Sequence, residues 1–277
     1  MLGRPRTAVA DEFEIGALDL DAYLRRIGYA GERRPTLAAL EAVHLAHATT
    51  IPFENLDILL GRGVRLDMAS LQAKLVAGGR GGYCFEQNLL FAAALERIGF
   101  GVTRLAARVR YRARALMPRT HMTLIADAGG IRWLCDVGFG GEGLMKPVPF
   151  GSGEAARQFA WSYRVVPEGG AWVLQSLREG SWLDLYAFTM EPQHHVDYVV
   201  ANHFTSTHPE SRFVRTLTAQ LSKPEVRWVL RGMELVEDRG ERVTTRVLSG
   251  EEELLSVLER TFGLRFPPGT RFKTGQA

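Results

Sequence analysis

The chain of 277 residues carries 34 Lys and Arg against 31 Asp and Glu, and this net charge of +3 argues against nucleic-acid binding. Its most arginine-rich stretch, residues 104–119, alternates in large part with apolar residues, as expected of a strand with one solvated face. Hydrophobic residues make up 46% of the chain, as in ordinary globular proteins, and its two cysteines cannot build the disulfide framework of a small secreted protein. The longest strongly apolar run, residues 89–95, is too short to span a bilayer, so we expect a cytoplasmic protein with no membrane or nucleic-acid partner.

The first part of the chain, residues 18–100, has helical patterns. Thr36 is a typical N-cap, and Gly78 and Gly99 are placed where helices commonly end. Four segments have apolar residues at helical spacing: LDLDAYLRRIGY, TLAALEAVHLAHATT, MASLQAKLVAGG and CFEQNLLFAAALERIGF. Residues 1–17, which lack the apolar segment of a signal peptide, are expected to form a flexible tail before these helices.

Short β-rich segments follow in residues 101–190, mostly separated by Gly or Pro: GVTRLAARVRYRA, HMTLIADA, IRWLCDV, FAWSYRVV, AWVLQSL and WLDLYAF. Several strands at short spacing predict a barrel or a sandwich. Residues 191–277 mix the two kinds of pattern. HHVDYVVANHF and GEEELLSVLERTFG have helical patterns, and we predict one strand around RWVLRGMELV and one around RVTTRVL, joined by a turn at residues 238–240.

Cys84 lies where the glycine-rich segment GGRGGY meets the start of the fourth predicted helix. The unpaired N–H groups and the dipole of a helix N-terminus favour a thiolate, and Arg80 is expected to add positive charge. Gly81 and Gly82 allow a tight turn and leave room for a substrate. These features are typical of a nucleophilic cysteine, although Cys84 taken alone fits an inert buried thiol equally well.

A cysteine nucleophile needs a base and a group that orients the base. His121 opens the apolar strand HMTLIADA, and Asp136 lies near the end of the next strand. If these strands pair as a hairpin across residues 127–130, Asp136 can hold one imidazole nitrogen while the other faces Cys84. His44 and His47 have a spacing that could ligate a metal, but no further ligand cluster lies nearby, so we expect them to be interfacial or exposed and predict no metal site.

The segment GFGGEG, residues 138–143, matches the dinucleotide-binding pattern G-x-G-x-x-G. That pattern requires a helix next, whereas Pro147 and Pro149 follow here. We therefore predict a flexible loop beside Asp136 and no nicotinamide or flavin site.

Five motifs in order resemble those of the arylamine N-acetyltransferase family: IPFEN (51–55), RGGYCFEQN (80–88), THM (120–122), DVGFG (136–140) and NHFTSTHPESRF (202–213). The resemblance covers roughly residues 18–265. It implies an α+β multidomain fold with a cysteine-protease-like Cys-His-Asp core. Its implied parts are a helical bundle with the nucleophile (18–100), a central antiparallel β-barrel with His and Asp (101–190), and an interdomain helix with a C-terminal α/β lid (191–277).

The resemblance also implies the activity, a ping-pong transfer of acetyl from acetyl-CoA through a thioester. The implied catalytic residues are Cys84, His121 and Asp136. The implied acceptors are small arylamines and arylhydrazines, including xenobiotic ones, with N-hydroxyarylamines as a further class. Acetyl-CoA is implied as a substrate that serves as acyl donor, with no metal.

Binding residues are implied by the same resemblance. Those that resemble the apolar contacts of the acceptor are Phe53, Val109 and Phe139, although core packing explains each of them equally well. Those that resemble the lining of the CoA cleft are Thr120, Gly140, Phe213 and Tyr111. We also expect an ion pair between Glu54 and Arg80 and a supporting hydrogen bond from Asn88.

Three alternatives stay open at this point. A transglutaminase-like or protease-like hydrolase would use the same triad on a peptide. An amide synthase of ansamycin assembly would take a tethered polyketide instead of acetyl-CoA. A binding module without activity would keep the fold, but an intact triad argues against it. The sequence does not decide the physiological acceptor, the acyl-chain length or the choice between monomer and homodimer.

Overall fold

The structure, a computed structural model, describes residues 11–273 and has a mixed α/β fold. It contains two antiparallel sheets, one of eight strands and one of five. Helices precede and follow the eight-stranded sheet in the sequence. The α-helices of the described residues are α1 (Leu20–Arg26), α2 (Leu37–Ala48), α3 (Leu56–Leu59), α4 (Met68–Leu71), α5 (Cys84–Ile98), α6 (His195–Thr207), α7 (Arg212–Arg215) and α8 (Glu251–Phe262). Each helix in this part of the chain is too short or too polar to cross a lipid bilayer.

The N-terminal helices begin where their capping residues predict. The side chains of Asp19, Thr36 and Asp67 each accept a hydrogen bond from a backbone N–H in the first turn of α1, α2 and α4. The predicted third helix consists of α4 followed by a π-helical segment, Gln72–Ala77. Helix α5 is buried along almost its whole length and ends at Gly99, whose φ of 110° suits glycine. It is therefore the central element of the largest apolar core.

The eight-stranded sheet has the order β5-β4-β3-β2-β9-β8-β7-β6, and β5 also lies beside β7, so the sheet curls into a nearly closed barrel. A second apolar core fills it. This agrees with the predicted barrel. Its strands are β2 (Gly101–Val109), β3 (His121–Ala128), β4 (Ile131–Cys135), β5 (Val148–Pro149), β6 (Ala156–Gln158), β7 (Trp161–Glu168), β8 (Ala171–Arg178) and β9 (Ser181–Pro192).

The five-stranded sheet joins distant parts of the chain. Its order is β1-β10-β11-β12-β13, and α8 packs on it through a third apolar core. The prediction of a single strand around RWVLRGMELV was wrong, because the chain turns back at Gly232, where φ is 56°. The strands are β1 (Phe53–Glu54), β10 (Thr218–Lys223), β11 (Val226–Arg231), β12 (Glu234–Asp238) and β13 (Val243–Val247).

The segment predicted as a flexible tail lies partly outside the described residues, which begin at residue 11. Its described part contacts the body of the protein. A short 3-10 helix spans Ile15–Ala17, the Glu12 carboxylate accepts a hydrogen bond from the His195 N–H at 3.1 Å, and the Arg104 guanidinium lies 3.9 Å from the centre of the Phe13 ring. The division of residues 18–277 into three parts stays a prediction.

Candidate active site

Cys84 is the first residue of α5 and is 3% exposed. Its Sγ atom lies 3.6 Å from the Thr120 carbonyl oxygen, which precedes β3. The segment before it needs glycine, because a Cβ at Gly81 would overlap the Pro52 carbonyl oxygen and one at Gly82 would crowd the Glu86 side chain. The tight approach that the sequence predicts is thus present, and it brings Cys84 beside the start of β3.

A group of buried charges holds the segment before α5. The predicted ion pair between Arg80 and Glu54 is present at 2.6 Å, and Arg80 also contacts Asp57 at 3.2 Å. The expectation that Arg80 adds positive charge at the nucleophile was wrong, because these two carboxylates balance its charge. Glu86 accepts a hydrogen bond from the Tyr83 N–H at 3.0 Å, which caps the helix that begins at Cys84.

The predicted hairpin between β3 and β4 is present, with Leu124 opposite Cys135. It places Asp136, directly after β4, next to His121, the first residue of β3. The His121 Nε2 and the Asp136 Oδ2 are 2.7 Å apart, and both side chains are buried. The Cys84 side chain lies close enough to the same imidazole to help raise its pKa. The structure therefore brings together the three side chains that the sequence singled out.

The pKa values of this pair favour its charged form. Burial alone would lower the pKa of His121, but the charge and hydrogen bond of Asp136 outweigh burial and raise it to about 10. Burial likewise opposes the charge on Asp136, yet the imidazolium lowers the pKa of this carboxyl. Asp136 Oδ1 also accepts hydrogen bonds from Asn88 Nδ2 at 3.0 Å, as predicted, and from the Gly138 N–H at 2.9 Å. An imidazolium paired with a carboxylate is the state that results near neutral pH.

Two histidines of α2 lie behind this pair, and the expectation that they are interfacial or exposed was wrong. Both are fully buried. His44 Nε2 accepts a hydrogen bond from the Asp136 N–H at 3.1 Å, and its Nδ1 donates to the Met145 carbonyl at 3.0 Å. Burial lowers the pKa of His44 to about 4, so it stays neutral. His47 is hydrogen-bonded to Tyr23 and Gln87. Both histidines therefore provide hydrogen bonds to polar groups in the core.

A cavity of about 560 Å³ opens onto Cys84 and His121. This is within the size range of small-molecule sites. The aromatic ring of Phe139 lies edge-on to the His121 ring, with centroids 5.2 Å apart. The predicted binding residues that line the cavity are Phe53, Val109, Tyr111, Thr120, Phe139 and Phe213.

Gly140 is the predicted binding residue that does not line this cavity; it lines a smaller space beside Phe53 and Phe139. Its φ is 91°, and a Cβ there would overlap the Gln220 side chain, which accepts a hydrogen bond from the Gly141 N–H. Gly140 thus lets the loop of residues 138–143 lie close against β10.

Comparisons with known proteins agree with this geometry. A family model described as N-acetyltransferase matches residues 36–269. The chain is 39% identical over 254 residues to the arylamine N-acetyltransferase of Mycolicibacterium smegmatis, covering 90% of this chain and 92% of that protein. It is 37% identical to that of Escherichia coli (strain K12), with 88% of each chain covered.

The chain belongs to the arylamine N-acetyltransferase family. It is therefore an acyltransferase. The crystal structure of the Nocardia farcinica arylamine N-acetyltransferase superposes on it with a TM-score of 0.86, at 43% identity and 92% coverage of both chains. The Mycobacterium marinum arylamine N-acetyltransferase, whose structure was determined in complex with CoA, superposes with a TM-score of 0.85 at 36% identity, over 89% of this chain and 93% of that one.

The cavity of this arylamine N-acetyltransferase contains a group of residues that the sequence analysis missed. They are arginines that come from the loop after β2, from α7 and from the end of β11: Arg112, Arg114, Arg212 and Arg231. Only the two in the loop are close in sequence, so no local pattern predicts the group. Two carboxylates, Glu142 and Glu210, also line the cavity. Glu142 is bound to Arg178 at 2.8 Å.

Proposed function

We propose that this enzyme transfers acetyl from acetyl-CoA to arylamines and arylhydrazines by a ping-pong mechanism, with N-hydroxyarylamines as a further class of acceptor. Cys84 carries the acetyl group as a thioester between the two half-reactions. The observation that carries this proposal is the placement of His121 between Asp136 and Cys84 at a cavity large enough for a substrate. Membership of the family supports the choice of substrates.

In the first half-reaction the Cys84 thiolate, paired with imidazolium His121, attacks the thioester carbonyl of acetyl-CoA. The tetrahedral oxyanion needs a hydrogen-bond donor. The Cys84 backbone N–H is proposed for this role, because the N–H groups of the first turn of α5 have no acceptor within the helix. The bond between the carbonyl carbon and the CoA sulfur then breaks. His121 gives its proton to the departing thiolate and becomes neutral.

In the second half-reaction the neutral amine attacks the thioester on Cys84. Arylamines are weakly basic, so the free amine is available near neutral pH. His121 takes the proton that the nitrogen loses, and the bond between carbonyl carbon and Sγ breaks to release the amide. The thiolate and imidazolium are restored, and Asp136 stabilises the imidazolium each time it forms.

Two groups of residues are proposed to hold the substrates. Phe53, Val109 and Phe139 present apolar surface to the cavity and would contact the aromatic ring of the acceptor. The residues proposed to contact CoA are Thr120, Tyr111 and Phe213. Gly140 is proposed to act indirectly, by allowing the loop that carries Phe139 to lie against Gln220.

The proposed domain division is a helical bundle over residues 18–100, a barrel over 101–190, and an interdomain helix with an α/β lid over 191–277. The strands of the eight-stranded sheet support it, because they begin at Gly101 and end at Pro192. We place the enzyme in the cytoplasm, where thiols stay reduced; Cys84 and Cys135 are both free.

The proposed function is tested by measuring the release of free CoA thiol from acetyl-CoA with and without an aromatic amine. We expect sustained release only with the amine, and parallel lines in double-reciprocal plots. Cys84→Ser should abolish it. Cys135→Ser is the matched control, since burial raises the pKa of the Cys135 thiol and this residue is not among those that line the cavity. Sustained release without any acceptor would instead identify a hydrolase.

A further inference from the structure

A second, smaller pocket of about 170 Å³ lies beside the main cavity. We call it the arginine pocket. It is lined by Tyr111, Arg112, Arg212, Thr216, Thr218 and Arg231. The tyrosine and the three arginines also line the main cavity, so the two spaces share walls. No acidic side chain is among the residues that line the smaller space.

The three arginines of this pocket have no carboxylate partner among the residues that the structure describes. Within residues 11–273, no ion pair involves Arg112, Arg212 or Arg231, whereas Arg178 close by is paired with Glu142. The Arg231 Nε atom is buried and has no hydrogen-bond partner in this part of the chain. Buried polar groups normally have a partner, because leaving one unpaired is costly. An acceptor from a ligand would satisfy this atom.

The charges of the pocket also repel each other. The surrounding protein lowers the pKa of Arg212 although its side chain is exposed at the cavity wall, and the positive charges of Arg231 and Arg112 lower it further. Two of the guanidinium groups are held over neighbouring rings, Arg112 at 5.1 Å from the Tyr111 centroid and Arg212 at 5.2 Å from the Phe213 centroid. A cluster of like charges at the wall of a cavity attracts ligands of the opposite charge.

We propose that the arginine pocket binds the phosphate groups of the acyl-CoA donor. This rests on the proposed function, since it assumes that acetyl-CoA enters the main cavity with its thioester at Cys84. Guanidinium groups bind phosphate oxygens through paired, charge-assisted hydrogen bonds. A ligand with several phosphate charges matches three unpaired positive charges better than a ligand with a single carboxylate does. Thr218 Oγ1 accepts a hydrogen bond from Gln220, so its hydroxyl proton is available for a phosphate oxygen.

The test measures binding, in the Cys84→Ala background so that no acyl transfer occurs. The ligands are CoA, dephospho-CoA and pantetheine, titrated by calorimetry at two salt concentrations. Arg212→Gln and Arg231→Gln should each weaken the binding of CoA by about tenfold or more, as expected for the loss of a charge-assisted hydrogen bond. Both changes should leave pantetheine binding the same and reduce the salt dependence for CoA. Arg215→Gln, on the same helix as Arg212 but outside both pockets, is the matched control.

The outcomes separate this proposal from the proposed function. If CoA binds equally well to both variants, or if pantetheine is weakened as much as CoA, the phosphate subsite is wrong while acetyl transfer stands. The same two changes are also made in the enzyme that retains Cys84. If they raise the KM for 4-aminobenzoate but not for aniline, while the affinity for CoA is kept, the pocket holds a carboxylate of the acceptor. That result would overturn the proposal. If the Cys84→Ala protein without further changes does not bind CoA at all, the proposed function fails as well.

Discussion

Replacing Asp136 by Asn tests how the carboxylate controls His121. Asp136 Oδ1 accepts two hydrogen bonds, from Asn88 Nδ2 and from the Gly138 N–H, and Oδ2 faces His121 Nε2. The orientation of the Asn88 amide is set, because its Oδ1 accepts from the Val137 N–H. The single oxygen of an asparagine must therefore face these two donors. Its NH₂ group then donates a hydrogen bond to His121 Nε2. That nitrogen must be unprotonated, because it has to accept this hydrogen bond.

The magnitude follows from the pKa of His121. Its rise from 6.5 to about 10 corresponds to a preference for the imidazolium on the order of 5 kcal/mol, a factor of more than about 10³. Without the carboxylate, burial lowers the pKa of the ring and only Cys84 opposes it, so the pKa falls far below 10. The lower pKa alone reduces the imidazolium fraction at pH 7 only several-fold, but the asparagine NH₂ also holds Nε2 unprotonated, and the same wrong-tautomer change in a Ser-His-Asp triad costs about 10⁴-fold. We therefore expect Asp136→Asn to slow acetylation at pH 7 by at least about 10³-fold.

Quenched-flow mixing with saturating acetyl-CoA, followed by intact-protein mass, measures this acetylation rate directly. Asp184→Asn is the control for the chemical change, because Asp184 pairs with Arg110 at 2.9 Å and does not line the cavity. We expect the control to acetylate at the wild-type rate. A folded Asp136→Asn enzyme whose rate stays within tenfold of wild type would refute the role assigned to the carboxylate.

Three further predictions concern stability. Because the pKa of His121 is raised on folding, its contribution to the free energy of unfolding is complete below pH 6.5 and is lost as the pH rises through about 10. Urea unfolding at a series of pH values should show this decline in wild type and not in Asp136→Asn. Arg80→Met leaves the buried Glu54 carboxylate without its 2.6 Å partner and should cost about 3–5 kcal/mol by calorimetry; an unchanged Tm would contradict the pairing. His44→Phe keeps a ring of similar shape but removes the acceptor of the Asp136 N–H, so we expect a loss of about 1–3 kcal/mol in urea and slower acetylation, whereas unchanged values of both would show that His44 only fills space.

The parts of the site that the sequence predicts are those encoded locally. The β3–β4 hairpin follows from two apolar strands around Gly129 and Gly130, whose φ values of 62° and 76° suit a tight turn. Once that hairpin is assumed, the pairing of His121 with Asp136 follows from the register. Cys84 is indicated by its position after a glycine-rich segment at the start of an apolar helix.

The buried histidines were missed although the sequence contains their signal. Leu40, Val43, His44 and His47 have the spacing of a single helical face, and all four are fully buried. A polar side chain on an apolar face indicates a buried hydrogen-bond partner. The partner itself, the backbone of Asp136, is 92 residues away and could not be predicted from α2 alone.

Contacts between distant segments account for the rest. Strand β1 has two residues and pairs with β10, so that Phe53 lies opposite Gln220. Nothing in the IPFEN motif predicts a strand with that partner. The arginine pocket has the same origin, since Arg112, Arg212 and Arg231 meet only because β11 and α7 pack beside the loop after β2.

The central claim is that Cys84 carries the acetyl group. Its most direct test is the intact mass of the protein after mixing with acetyl-CoA and no acceptor, for wild type and Cys84→Ala. We predict one added acetyl group, about 42 Da, in wild type only, and its loss when an aromatic amine is added. An unmodified wild-type mass, or the same adduct in Cys84→Ala, would contradict the claim.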